Sequence, residues 1–111
     1  MIMDIETLRK TADSSSFTSE HLRALWHDLN GDWDSAHRIV QQMNDTHAMW
    51  IHAYLHRKEP DLDNARYWYR RAGKSYPEGM SYEAEAEMIL SVITGQVQTS
   101  DFKGDTATGT G

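Results

Sequence analysis

Apolar residues recur every three or four positions along most of this chain, the period of a helix with one buried face. The densest stretch runs from Trp50 to Gly73, WIHAYLHRKEPDLDNARYWYRRAG. From about Thr46 to Lys58 it has no Gly or Pro, and Trp50, Ile51, Tyr54 and Leu55 spread over a wide arc. Such an arc predicts a helix packed on more than one side. Asp45 or Thr46 is placed to cap its start, and Pro60 biases Glu59 out of the helical region and ends it. Asp61 then caps a second helix, in which Leu62, Ala65, Trp68, Tyr69 and Ala72 form one apolar stripe. Arg66, Arg70 and Arg71 lie off that stripe and late in the helix, where the dipole favours positive charge. Gly73 supplies a left-handed stop.

The same pattern continues on both sides. Ile2, Ile5 and Leu8 predict a short amphipathic helix between Met1 and about Ala12, followed by a polar linker, Asp13 to Ser16. Thr18 reads as the N-cap of the next helix, with Phe17 packing on Leu22 as a hydrophobic staple. Leu22, Leu25, Trp26 and Leu29 are its stripe, and Asn30-Gly31 ends it. Asp32 caps a helix to about Met43 with stripe Trp33, Ala36, Ile39, Val40 and Met43. Lys74 to Met80 reads as a loop, and Ser81 caps a last helix through about Thr94 with Met88, Ile89, Val92 and Ile93 apolar. The residues from Gly95 onward are mostly Gly, Thr, Ser, Gln and Asp, too polar to bury a core, which predicts a disordered tail over 96–111. The expectation is one all-α domain, residues 2–95, of five or six short helices in antiparallel hairpins.

Shifted by 29 residues, Asp32, Asp34 and Ala36 fall on Asp61, Asp63 and Ala65, and Ala24 and His27 fall on Ala53 and His56. Trp33, Ile39 and Val40 fall on Leu62, Trp68 and Tyr69. This reads as two tandem helical hairpins that stack because neither buries its apolar face alone. The second helix of the second hairpin, DLDNARYWYRRAG, resembles the second helix of a tetratricopeptide-like repeat of the Sel-like kind at Ala65, Trp68, Tyr69, Ala72 and Gly73. The first helix lacks that family's Leu-Gly pair, Glu59-Pro60 stands at its glycine turn, and the unit is short for it. That resemblance implies a scaffold for partner proteins. WIHAYLHRKE…NARYWYRRAG is also similar to a group of small uncharacterised microbial proteins, which implies no activity.

Composition narrows the function. The absence of cysteine excludes disulfides, thiolate metal sites and cysteine nucleophiles. No apolar run approaches the roughly 20 residues of a membrane span, and MIMDIETLRK has no apolar signal core, so a cytoplasmic location is the default. The formal charge of −6 argues against a broad nucleic-acid surface. The local cluster Arg66, Arg70, Arg71 and Lys74 reads as a solvated helix face.

Two functional readings follow. In the first, the chain is a non-enzymatic helical-repeat module that binds a partner protein or itself, without a cofactor, through the off-stripe residues His52, His56, Asn64, Tyr67 and Arg71. In the second it is a small metal- or His-dependent enzyme or ligand-binding protein. His52 and His56 have the i, i+4 spacing that lets two imidazoles reach one ion. His27, His37 or Glu59 would complete a site for a transition metal such as zinc. The zincin signature is absent, because Ala53 rather than Glu follows His52. Asp32, Asp34, Asp61 and Asp63 are accounted for by capping and the helix dipole. No nucleophile elbow and no phosphate-cradling glycine loop occur.

Overall fold

A computed structural model describes residues 4–11, 17 and 19–95, and every regular element among them is α-helical. The helices are α1 (Ile5–Lys10), α2 (Glu20–Leu29), α3 (Trp33–Val40), α4 (Thr46–Lys58), α5 (Leu62–Arg71) and α6 (Tyr82–Thr94). Ile2, the Asp13–Ser16 linker, Thr18 and the 96–111 tail lie outside the described residues. None of these helices is long and apolar enough to cross a membrane.

The wide apolar arc makes α4 the spine. Every residue from Trp50 to Arg57 is buried, and α4 packs on α2, α3, α5 and α6. The chain forms two hairpins, α2–α3 and α4–α5, with α6 closing against α2 and α4, and α1 against α2 and α6. The two hairpin turns carry equivalent backbone bonds: Asp32 N–H to the His27 carbonyl and Asp61 N–H to the His56 carbonyl, each 2.8 Å. In the first turn Gly31 takes φ 85°. In the second, Pro60 occupies that place and lacks the N–H that Gly31 donates to Asp28.

Local chemistry shifts some of the expected boundaries. Ser19 caps α2, through Leu22 N–H at 3.3 Å. Asp61 stands at the N-cap of α5 but makes no side-chain cap bond; it accepts from Asn64 Nδ2 instead, at 3.2 Å. Helix α3 stops at Val40, before the expected Met43. Leu62, placed on the α5 stripe, is 41% exposed, because it is the first residue of α5 and precedes the turns that face α4.

Two buried polar networks tie helices to the spine. Glu85 of α6 accepts from Trp50 Nε1 (3.0 Å), the Tyr69 hydroxyl (2.6 Å) and Arg57 Nε (3.0 Å). Arg57 also donates to the Met80 carbonyl at 2.9 Å, fastening the loop before α6. Burial lowers the Arg57 pKa, but the Glu85 carboxylate outweighs it and the net shift is upward. Asp28 of α2 accepts from the Tyr54 hydroxyl at 2.7 Å and from Lys58 Nζ at 2.8 Å. Burial, and next the nearby carboxylates, push the Tyr54 and Tyr69 hydroxyls up, so both remain donors.

Candidate metal centre

Helix periodicity brings three histidines together. His52 and His56 lie one turn apart on α4 and stack at 4.9 Å between ring centroids. Trp33 and His37 lie one turn apart on α3 and stack at 4.8 Å. Trp33 Nε1 donates to the Leu55 carbonyl at 2.7 Å and so pins α3 onto this face of α4. His37 Nε2 then lies 3.1 Å from His52 Nε2, and the His37 and His56 rings are 5.2 Å apart. From the other side, Trp68 of α5 stacks on His52 at 4.0 Å with an interplanar angle of 14°. The result is an imidazole cluster between two indole walls, in which one nitrogen from each of His37, His52 and His56 lies within 4.8 Å of the others.

His37 and His52 are held neutral. Burial, then repulsion from His37 and His56, pushes His52 down to about 3. Burial, then His56, lowers His37 as well. Transition metals bind the neutral ring. Tetrahedral zinc with Zn–N bonds of about 2.0–2.1 Å sets its nitrogen ligands about 3.3 Å apart, a few tenths of an ångström from the His37–His52 spacing. His56 Nδ1 bonds Glu59 Oε1 at 2.8 Å, which leaves Nε2 for a metal and supplies the carboxylate that commonly orients a metal-bound histidine.

The sequence-derived candidates separate accordingly. His37, His52, His56 and Glu59 come together. His27 does not: its Nδ1 is 3.8 Å from Asp32 Oδ2, and its side chain lines a different cavity of about 550 Å³ with Arg23, Arg38 and Met43. The expected open surface through His52, His56, Asn64, Tyr67 and Arg71 is corrected at its first two members. His52 and His56 are 5% and 6% exposed, because α3 and α5 cover the face of α4 that carries them. Asn64 is half-buried, and Tyr67 and Arg71 are exposed.

Glu85 and Asp28 were invisible as buried acids when taken as isolated charged residues. A signal for Glu85 does exist: it shares the helical spacing of Ile89 and Val92, which is a core position.

Compared with protein-family models, with curated proteins and with solved structures, the chain matches none.

Proposed function

We propose that this protein binds one zinc-class transition metal ion through His37, His52 and His56, with Glu59 orienting His56. The carrying observation is the convergence of three imidazole nitrogens within 4.8 Å on two helices. Imidazole ligands suit zinc, copper, iron and nickel, so ligand type alone leaves the metal open among these. Such an ion would tie α3 to α4 and would stabilise the fold by mass action. The test is elemental mass spectrometry and zinc titration of the untagged protein. One ion per chain is expected, lost in His37→Ala, His52→Ala and His56→Ala, and retained in His27→Ala, with helicity checked by circular dichroism. Failure to take up zinc, copper, iron or nickel, or uptake unchanged in the three variants, refutes the proposal.

A second reading, a hairpin scaffold of the Sel-like kind that engages a protein partner or a second copy, is favoured by one observation. Tyr67 is 44% exposed, and Arg71 lies against both Tyr67 and the Trp68 that walls the histidines. Sedimentation of the protein and of Tyr67→Ala/Arg71→Ala tests self-association. A monomer in both cases removes the self-association form of that reading.

A further inference from the structure

The cationic cluster late in α5 divides in the structure. Arg71 turns toward Tyr67 and Trp68, whereas Arg66, Arg70 and Lys74, spaced four apart, line a groove of about 340 Å³ with Tyr69 and Tyr76. A capping motif sets this arrangement. Gly73, at φ 72°, donates to the Arg70 carbonyl at 3.0 Å, and Lys74 N–H donates to the Tyr69 carbonyl at 2.9 Å, which is the Schellman pattern. Lys74 is thereby carried over the Trp50 ring, with Nζ 4.2 Å from its centroid, and Arg66 lies 4.7 Å over Tyr76. Among the described residues none of the three cations makes an ion pair.

The groove continues inward. Tyr69, Lys74 and Tyr76 also border a second cavity of about 300 Å³, whose far wall is Trp50, Pro77, Met80 and Met88. Glu85 reaches this cavity but is only 1% exposed, and its charge is matched by Arg57 at 2.9 Å. An apolar recess bordered by Lys74 thus adjoins the groove that carries Arg66 and Arg70, in a chain whose formal charge is −6. The recess lies on a different face of α4 from the histidines, since Trp50 and His52 are about 200° apart around the helix.

We infer that this recess binds a small amphiphilic anion. The apolar body enters the cavity against Trp50, Met80 and Met88, and a carboxylate or phosphate head pairs with Lys74, Arg70 and Arg66. Dimensions agree: ligand cavities begin near 300 Å³ and combine apolar walls with a few polar groups that fix orientation. The helix-end position of Arg70 has its own structural use, complementing the dipole, but it does not account for the cavity beneath Lys74.

The test is an NMR titration of the full chain in EDTA, so that the outcome does not depend on metal. The probes are octanoate, octyl phosphate, octanol and octylamine, each below its micelle concentration. Octanoate or octyl phosphate is expected to give saturable shifts at the Trp50 indole N–H and the Lys74 amide, at least tenfold tighter than octanol or octylamine. The tighter of the two anions identifies the head group. Lys74→Glu and Arg70→Glu, at exposed positions that leave the core intact, are each expected to weaken that binding at least fivefold. No saturable anion binding, equal binding of octanol, or indifference to both charge reversals overturns the inference.

Discussion

Replacing Glu85 tests whether a buried charge holds α6 to the spine. In Glu85→Ala the Arg57 guanidinium, 7% exposed, loses its counter-ion and keeps the Met80 and Ser81 carbonyls and the face of the Tyr82 ring. The Trp50 indole N–H and the Tyr69 hydroxyl lose their acceptor at the same time. Removing one member of a buried ion pair costs about 3–5 kcal/mol, a large share of the roughly 5–15 kcal/mol that keeps a domain folded. At about 4–8 °C per kcal/mol for a domain of this size, the melting temperature should fall by at least about 12 °C. Replacing both partners by apolar residues, as in Arg57→Met/Glu85→Leu, removes the stranded charge and should cost less than Glu85→Ala alone. Urea unfolding followed by tryptophan fluorescence measures the wild type, Glu85→Ala, the singles Arg57→Met and Glu85→Leu, and the double variant on one scale. A cost below about 1 kcal/mol for Glu85→Ala, or a double variant as unstable as the sum of the singles, would refute the argument, because such a pair would not be coupled.

Acid should destabilise the metal-free protein through His52. Its folded pKa is depressed from 6.5 to about 3, so below 6.5 the unfolded chain binds a proton that the folded one does not. The contribution is complete above pH 6.5 and is lost as pH falls toward 3, reaching about 2 kcal/mol by pH 5 at 1.36 kcal/mol per unit. His37 acts in the same direction. Urea midpoints at pH 7 and pH 5 in EDTA measure the loss, and His52→Phe, which has no group to titrate, should show a smaller one. Glu59→Gln should weaken zinc binding by about 10–100-fold, the usual effect of losing a carboxylate behind a histidine ligand, with the stoichiometry unchanged in a competition titration against a chromophoric chelator.

The helices were legible because each begins or ends with local chemistry. Asp32, Asp45 and Ser81 cap α3, α4 and α6 through their own side chains, and Gly31 and Gly73 take the left-handed stops that their positions imply. What spacing could not supply was the identity of the neighbour. His52 and His56 read as an open face because an α4 helical wheel does not say that α3 will dock there; the docking depends on Trp33, whose indole reaches the Leu55 carbonyl 22 residues later. Met88, grouped with the apolar positions of α6, is 46% exposed, since α6 closes one end of the bundle and Met88 lines the apolar recess there. Of the acids Glu83, Glu85 and Glu87 in α6, only Glu85 is buried.

The two polar clusters beside α4 differ in a way that bears on function. Around Glu85 donors and acceptors are matched: the carboxylate takes two Arg57 nitrogens, an indole N–H and a phenol hydroxyl, and a network satisfied to that degree has nothing left to offer a ligand. The histidine cluster is less committed. Its rings bond one another through a single Nε2–Nε2 contact, and Glu59 takes only His56 Nδ1. Burying three imidazoles also depresses the basicity of His37 and His52, so the arrangement forgoes stability in acid that three apolar side chains in the same volume would retain. Helix packing alone does not call for that composition. A cation that takes up the free nitrogen lone pairs would offset the cost and give the two indole walls, Trp33 and Trp68, a rigid set of rings to stack upon.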